Sequence, residues 1–157
     1  MRIHIDGAAR GNPGPAGAGV VVADAHDHVV KELQVYLGET TNNVAEYAAL
    51  LLALHEAARW PAAEILVRTD SELLVRQMSG QYRVKDPTLR MMHALAKQWM
   101  AELAACRLMH VPREHNRAAD RAANRAVESG LRAATAKPRS ATSPADPSQQ
   151  TFSFGAS

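Results

Sequence analysis

Four acidic residues lie at places where a side chain can project into a shared cleft. Asp6 ends a short alternating strand pattern and precedes a glycine-rich turn, and Asp70 ends another strand pattern where it meets a helix. Glu46 falls in the first turn of a predicted helix, and Asp120 in the second turn of a later one. Strand ends beside such turns are favoured positions for sites in open α/β sheets. Acidic residues in these settings also cap helices and aid solubility, so a purely structural role stays open at this point.

Carboxylates that converge need a counter-charge. Two of them about 4 Å apart repel by roughly 4 kcal/mol at an effective dielectric constant of about 20. Hard divalent cations with oxygen ligands, Mg2+ above all, relieve that repulsion. The single cysteine, Cys106, excludes a zinc cluster built on several thiolates. Two cations roughly 4 Å apart form the usual clamp for in-line displacement at phosphorus, because one activates water and the other stabilises the leaving oxygen. The residue types therefore indicate metal-dependent chemistry at phosphorus if the four side chains meet.

The hydrophobic periodicity predicts strands and helices in the order β-β-β-α-β-α-α-β-α. Asn42 or Asn43 is expected to cap the first helix, and Gly130 is expected to stop the last one. The predicted fold class is therefore α/β, with a mixed five-stranded sheet flanked by helices. The strands are expected at about residues 2–6, 18–23, 29–37, 65–69 and 108–111, and the helices at about residues 43–59, 71–78, 86–104 and 116–129.

Length and composition fit one ordinary globular domain. The chain has 157 residues, of which 46% are apolar and 22% charged, and its formal net charge is +2. No apolar run in the middle of the chain approaches the roughly 18 residues of a membrane span, and the amino-terminal residues lack the apolar segment of a signal peptide. One cysteine allows no internal disulfide. We therefore expect a cytoplasmic protein that does not bind membranes.

The composition changes after about Gly130. Residues 1–131 have the pattern of a compact domain, whereas residues 132–157 are small, polar and rich in proline. Such a segment buries too little apolar surface to offset the entropy of ordering, so we predict a flexible tail. The tail carries a net positive charge, which leaves the domain close to neutral. If metal ions neutralise the four carboxylates, the rest of the domain is modestly basic and suits a polyanionic partner.

Four blocks of sequence surround the carboxylates. They are Asp6-Gly-Ala-Ala-Arg-Gly-Asn-Pro-Gly-Pro-Ala-Gly17, Thr41-Asn-Asn-Val-Ala-Glu-Tyr47, Arg68-Thr-Asp-Ser71 and Val111-Pro-Arg-Glu-His-Asn-Arg-Ala-Ala-Asp-Arg-Ala-Ala-Asn124. These blocks resemble the signature blocks of type 1 ribonuclease H, and they follow the order of that family. The resemblance covers about residues 1–130. It is specific, because each carboxylate comes with neighbours like those of the family.

The resemblance implies an enzyme that cuts the RNA strand of RNA–DNA hybrids and leaves a 5′-phosphate and a 3′-hydroxyl. It also implies that two ions, Mg2+ or else Mn2+, are held by Asp6, Glu46, Asp70 and Asp120. The family uses further polar residues to hold the sugar–phosphate backbone, and amides and hydroxyls can read the 2′-hydroxyl of RNA. The matching residues here are Asn12, Thr41, Asn42 and Asn43. Residues of these types also serve in turns and helix caps.

The chain differs from the better-known members of the family in three respects. Many of them carry a histidine on a flexible loop before the last aspartate, whereas His115 lies too close to Asp120 and is interpreted as a surface residue. The Val-Pro-Arg-Glu sequence resembles a branch of the family, including archaeal members, in which an arginine takes that role. Arg113 is the matching residue, a fixed cation that can contact phosphate but cannot act as a base near neutral pH. Residues 80–86 are too few for the basic protrusion of some members. Because the sequence begins at the catalytic strand, we also expect no amino-terminal hybrid-binding domain.

Two further features have open interpretations. Arg117, Arg121 and Arg125 share one face of the last predicted helix, which is either a solvated face or a phosphate contact. The tail segment 149–154, with Gln149, Phe152 and Phe154, resembles the short peptides with which replication and repair enzymes bind a sliding clamp. Aromatic anchors dominate small interfaces of this kind. Alternatively, the two phenylalanines pack back on the domain or have no role.

The leading hypothesis is thus a metal-dependent endoribonuclease that acts on RNA–DNA hybrids as a monomer. A second hypothesis is a catalytically silent nucleic-acid-binding module with the same fold. Silent relatives are expected to lose at least one carboxylate, and all four are present here. A third is a nuclease of the same fold that acts on another polymer, such as double-stranded RNA or a recombination junction, because a shared fold does not decide the substrate.

Overall fold

A computed structural model of the chain describes residues 1–60 and 64–136. Within them, strands and helices follow one another in the predicted order. The elements are β1 (Arg2–Ala9), β2 (Gly14–Ala23), β3 (Val29–Thr40), α1 (Asn42–Ala57), β4 (Ile65–Thr69), α2 (Glu72–Met78), α3 (Pro87–Glu102), β5 (Cys106–His110), a 3-10 turn (Arg113–His115) and α4 (Arg117–Ala136).

The strands form one mixed sheet in the order β3-β2-β1-β4-β5. Strand β1 pairs antiparallel with β2, and β2 pairs antiparallel with β3, as a meander does. Strand β4, which follows α1, runs parallel to β1. Strand β5 runs parallel to β4, and the helices α2 and α3 form the crossover between them. This arrangement confirms the predicted α/β class with a mixed five-stranded sheet.

The two faces of the sheet pack against different helices. On one face, Ile5, Val20 and Val67 belong to a buried cluster that includes Leu50 and Leu54 of α1. The other face receives α4, whose buried residues are four alanines and Val127. Helix α4 approaches the strands closely because β2 has glycine there: a Cβ on Gly19 would lie 2.4 Å from the backbone nitrogen of Ala123. The backbone of the sheet, rather than large side chains, therefore sets the position of α4.

The first strand is longer than predicted. It continues past Asp6 to Ala9, which pairs with Ala16 of β2, so Gly7 is inside a strand and not in a turn. The turn is confined to residues between Ala9 and Gly14. The expectation that Asp6 ends its strand is therefore wrong, because cross-strand pairing extends the β1–β2 hairpin through a glycine-rich sequence that locally indicates a turn.

Three helix boundaries also differ from the prediction. Thr41, not Asn42 or Asn43, caps α1, since its hydroxyl accepts a hydrogen bond of 3.3 Å from the backbone nitrogen of Val44. Helix α4 does not stop at Gly130 but continues to Ala136. Gly130 instead leaves room for a neighbour, because a Cβ there would lie 2.0 Å from the ring of Tyr36. Helix α4 begins at Arg117, one residue later than predicted.

Helix α4 crosses the boundary that the sequence places after residue 131, and most of the predicted tail lies outside the described residues. Among the helices of residues 1–60 and 64–136, none combines the length and apolar character that a membrane crossing requires.

Candidate active site

The four predicted carboxylates line one cleft of about 310 Å3. Its lining consists of Asp6, Gly7, Ala8, Ala9, Asn42, Glu46, Asp70, Arg113, Asp120 and Asn124. The residues come from β1, α1, the end of β4, the 3-10 turn and α4. Convergence of the four side chains, on which the metal hypothesis depends, is thus a property of the fold.

Each carboxylate is positioned by a different element. Asp6 projects from the middle of β1, and Asp70 directly follows the neighbouring parallel strand β4. Glu46 lies in the second turn of α1 rather than the first, and Asp120 lies in the first turn of α4 rather than the second. These two corrections follow from the helix starts, since α1 begins at Asn42 after its Thr41 cap and α4 begins at Arg117.

Gly7 lets α1 approach β1 closely enough for Glu46 to reach the cleft. A Cβ on Gly7 would lie 2.3 Å from the backbone nitrogen of Glu46 and 2.4 Å from the carbonyl carbon of Ala45. Such distances are far below van der Waals contact, so only glycine fits without movement of the backbone. The residue after Asp6 therefore determines how near Glu46 comes to it.

The cleft makes ionisation of two carboxyls unfavourable. Burial, followed by the charges of Asp70 and Asp120, raises the pKa of Asp6 to about 7. Burial, followed by the charges of Asp6 and Asp70, raises the pKa of Glu46 to about 9. The Oε2 atom of Glu46 is buried and has no hydrogen-bond partner among the described residues. A polar atom in that state is costly, and a cation bound in the cleft would satisfy it.

These carboxyls predict an unusual pH dependence for the metal-free protein. Between the ordinary pKa values of 3.8 and 4.5 and the raised values of about 7 and about 9, the folded protein holds protons that the unfolded chain has released. The free energy of unfolding is therefore expected to fall as the pH rises from about 5 to about 9. Urea denaturation in EDTA measures this slope.

The variant Glu46→Gln is the matched control for that measurement. It removes one of the two titrating groups, so its free energy of unfolding should fall less steeply with pH than that of the wild type. Added Mg2+ should also flatten the wild-type slope, because a bound cation favours the ionised carboxylates. Equal slopes for the wild type and Glu46→Gln in EDTA would contradict the raised pKa of Glu46.

The donor set fits hard divalent cations. All four groups offer carboxylate oxygens, and among the residues that the structure describes neither histidine nor cysteine lines the cleft. Within the described part of the chain, no three acidic, histidine or cysteine side chains are already arranged as ligands of one ion. A bound cation would relieve the mutual repulsion of the carboxylates and supply a partner to the buried Glu46 oxygen.

Asn116 is a site residue that the sequence reasoning missed. Its buried side-chain amide donates hydrogen bonds of 2.9 Å to the carbonyl of Ile5 and to Oδ1 of Asp70. Its Oδ1 lies 3.3 Å from Nδ1 of His4. Asn116 thereby ties the strand that carries Asp6 to the carboxylate of Asp70. Its position just before α4, inside the last signature block, was the available signal, but a local pattern does not show such distant partners.

Replacing Asn116 by leucine is expected to lower the free energy of unfolding by about 1–3 kcal/mol, because the buried carbonyl of Ile5 loses its donor. Asp70 loses its fixed orientation as well. Urea denaturation and cleavage rates together test this prediction. The variant His4→Leu, which removes only the partner of the Asn116 oxygen, should have the smaller effect. An unchanged unfolding midpoint for Asn116→Leu would show that the amide does not support the site.

Arg113 and His115 occupy different positions relative to the cleft. The guanidinium of Arg113 lines the cleft, with Nη2 3.6 Å from Oδ1 of Asp120. His115, in the same 3-10 turn, is exposed and does not line the cleft. The geometry thus agrees with the interpretation of His115 as a surface residue. The catalytic role of Arg113 stays a prediction.

The four predicted substrate-binding residues are only partly brought together. The side-chain oxygen of Asn12 accepts a hydrogen bond of 3.1 Å from the backbone nitrogen of Asn42, and Asn42 lines the cleft. The hydroxyl of Thr41 is engaged in the cap of α1. Asn43 is exposed and does not line the cleft. Asn12 and Asn42 therefore form one polar edge of the site, and the other two lie beside it in sequence.

Comparison with known sequences assigns the domain. Residues 4–126 match the sequence family described as reverse transcriptase-like. A bifunctional protein of Mycobacterium tuberculosis is 42% identical over 135 residues, which are 85% of this chain and 37% of that protein. A ribonuclease HI of Halobacterium salinarum is 40% identical over 129 residues, which are 81% of this chain and 65% of that protein. The chain thus matches less than two thirds of the length of either relative.

Solved structures share the fold. LC11-RNase H1, in complex with an RNA/DNA hybrid, is similar with a TM-score of 0.78 and 45% identity, over 83% of this chain and 98% of that chain. RNase H1 of Halobacterium salinarum gives a TM-score of 0.78 and 38% identity, over 82% of this chain and 97% of that chain. Sequence and fold agree, and the chain belongs to the reverse transcriptase-like family, as a type 1 ribonuclease H domain.

Proposed function

We propose that the chain is an endoribonuclease that hydrolyses the RNA strand of RNA–DNA hybrids with two divalent ions, leaving 5′-phosphate and 3′-hydroxyl ends. The observation that carries the proposal is the convergence of four carboxylates on one cleft, where Asp6 and Glu46 have raised pKa values and a buried oxygen has no partner. The similarity to LC11-RNase H1, which was solved with an RNA/DNA hybrid, supports the hybrid as the substrate.

Asp6, Glu46, Asp70 and Asp120 are proposed to hold the ions. When bound, the ions supply an activated water and a positive charge that stabilises the leaving oxygen. The chain itself supplies position: Asn116 orients Asp70 through a direct hydrogen bond. Arg113 is proposed to contact the phosphate at the rim of the cleft, where its positively charged side chain is 79% exposed.

Recognition of the RNA strand is proposed to involve the polar edge of the cleft. Asn42 lines the cleft, and Asn12 is fixed against it by a hydrogen bond to the backbone. Amide groups can donate to and accept from a 2′-hydroxyl, which distinguishes RNA from DNA. Thr41 and Asn43 are proposed to contact the sugar–phosphate backbone next to this edge.

One experiment separates the three candidate functions. The protein is incubated with labelled RNA–DNA hybrid, double-stranded RNA and double-stranded DNA, each with Mg2+, Mn2+ or EDTA. Metal-dependent cleavage of RNA in the hybrid alone is the expected result. Binding without cleavage would establish a silent nucleic-acid-binding module. Cleavage of double-stranded RNA in preference to the hybrid would assign the site to another polymer.

Mg2+ is the proposed resident ion, with Mn2+ as the alternative, because the donors are carboxylate oxygens.

All four carboxylates belong to one chain, which supports the proposal that a monomer is active. Sedimentation of the metal-loaded protein tests the oligomeric state. A cytoplasmic location, away from membranes, is proposed from the sequence alone, and fractionation of cells tests it.

A sliding clamp is proposed as a further partner through Gln149, Phe152 and Phe154, which lie outside the described residues. Tethering would raise the effective concentration of the enzyme at its substrate without any change in the site. Clamp binding is measured with the intact protein and with the double variant Phe152→Ala/Phe154→Ala. Equal binding by both proteins would discard the proposal.

A further inference from the structure

A second cavity adjoins the carboxylate cleft at the start of α4. It has a volume of about 450 Å3 and is lined by Arg113, Glu114, Arg117, Asp120 and Arg121. Arg113 and Asp120 line the carboxylate cleft as well, so the two cavities share a wall. A polymer strand held in the cleft can therefore continue into this second cavity, which we call the arginine cavity.

The arginine cavity has an excess of positive charge. It brings three guanidinium groups together with two carboxylates, and one of these, Asp120, is a proposed metal ligand. The shortest distance between a guanidinium and a carboxylate in this cavity is 3.6 Å, from Nη2 of Arg113 to Oδ1 of Asp120. This distance is too long for a hydrogen bond. Among residues 1–60 and 64–136, no carboxylate forms an ion pair with Arg117 or Arg121. Their donors are available to an anion from solution.

The third arginine of the same helix face behaves differently. Arg125 forms an ion pair with Glu32 of β3, so its charge is compensated within the domain. Arg10 is similarly compensated by Glu128 of α4. Of the three arginines on this face of α4, Arg125 is thus paired with the sheet, whereas Arg117 and Arg121 line the arginine cavity. Only Arg117 and Arg121 are suited to contact a ligand.

We propose that Arg117 and Arg121 form a subsite for the phosphate that neighbours the cleaved phosphate on the RNA strand. The subsite rests on the proposed function, since it requires a phosphodiester strand in the carboxylate cleft. Guanidinium groups match phosphate oxygens with paired hydrogen bonds, and two of them flank one cavity here. Arg113 lines both cavities, so it lies between the site of the cleaved phosphate and the proposed site of the neighbouring phosphate. The subsite fixes the register of the strand, and the carboxylates then act on the next linkage.

The first test compares two double variants that remove the same charge. Arg117→Gln/Arg121→Gln is expected to raise the KM for a hybrid about tenfold, with kcat changed less than about twofold. The slope of log KM against log salt concentration should fall by about one. The matched control is Arg125→Gln/Arg132→Gln, in which Arg132 is an exposed residue near the end of α4 that lines neither cavity. This control should change KM less than about twofold and leave the slope unchanged. Equal effects of the two double variants would overturn the subsite, since only net charge would then matter.

The second test locates the phosphate. Hybrids are prepared in which single RNA-strand linkages beside the cleaved one are uncharged methylphosphonates. Wild-type protein should lose affinity at one adjacent linkage, and Arg117→Gln/Arg121→Gln should bind that hybrid and the unmodified hybrid equally. Equal losses for both proteins at every linkage would overturn the proposal.

The two tests also separate the subsite from the function on which it rests. If the wild type cleaves the hybrid but the double variants behave alike, only the subsite is wrong. If the wild type neither binds nor cleaves the hybrid, the proposed function is wrong, and the subsite is rejected with it.

Discussion

Replacing Asp70 by asparagine is expected to lower metal-dependent cleavage of an RNA–DNA hybrid by at least about a thousandfold. The charge of a metal ligand supports several kcal/mol of transition-state stabilisation, and each 1.36 kcal/mol is about a factor of ten in rate. The fold should be retained, because the amide oxygen of the new residue can still accept the hydrogen bond from Asn116. Cleavage rates in saturating Mg2+ and urea unfolding curves measure the two effects separately.

The variant Glu102→Gln is a suitable control, since it removes the same charge from an exposed position at the end of α3. It should cleave at the wild-type rate. Retention of a tenth or more of the wild-type activity by Asp70→Asn would remove Asp70 from the site. That result would also show that the hydrogen bond from Asn116 to Asp70 does not contribute to catalysis.

Replacing Gly7 by alanine is expected to lower the free energy of unfolding by about 3 kcal/mol and to abolish cleavage. The new Cβ would lie 2.3 Å from the nitrogen of Glu46 and 2.4 Å from the carbonyl carbon of Ala45, and these are backbone atoms that cannot rotate away. Overpacking against side chains costs about 1–3 kcal/mol, and contact with backbone belongs at the upper end of that range. Relief requires α1 to move away from β1, which separates Glu46 from Asp6.

Gly80→Ala provides the comparison for Gly7→Ala. A Cβ at Gly80 meets nothing within 4 Å, and only its positive φ of 80° opposes the substitution. That strain costs about 1–2 kcal/mol and lies away from the cleft, so activity should be unchanged. Urea denaturation and cleavage of the same hybrid are measured for both variants. If Gly7→Ala cleaves as well as Gly80→Ala, the close approach of α1 to β1 is not needed for the site.

The order of the elements and the four carboxylates could be predicted from the sequence, because both depend on local patterns. Alternating and helical periodicities predict the mixed sheet, and the blocks around Asp6, Glu46, Asp70 and Asp120 each carry their own signal. The metal-binding role of the four carboxylates, the roles of the five other predicted site residues, the tail motif and the identity of the ions stay predictions or proposals.

Glycines account for two of the errors, the predicted end of β1 at Asp6 and the predicted end of α4 at Gly130. In the sequence, the glycines from Gly7 to Gly17 and the later Gly130 indicate turns or a helix end. In the structure, Gly7, Gly19 and Gly130 leave space for backbone or ring atoms of elements that are distant in sequence. A glycine that provides space and a glycine that provides a turn are identical in a local pattern. The two kinds of glycine differ only in whether another element packs against them, and that element is distant in the sequence.

Asn116 was missed for the same physical reason. Its hydrogen bonds reach Ile5 and Asp70, which are separated from it by 111 and 46 positions in the chain. Asparagine before a helix is ordinarily explained by turn or cap chemistry. Its function of joining the two strands that carry Asp6 and Asp70 becomes visible only when the sheet is assembled.

The docking of α4 on the glycine face of β2 has a consequence for the biosynthesis of the domain. Asp6 belongs to the first strand to be synthesised, and Asp120 to the last helix. Contacts between such distant segments form only after long stretches of chain have been ordered. A nascent chain therefore has no complete set of carboxylates until α4 has left the ribosome and packed against β2. On the proposed function, the order of synthesis therefore delays any cleavage of nucleic acid until the last helix of the domain has been made and docked.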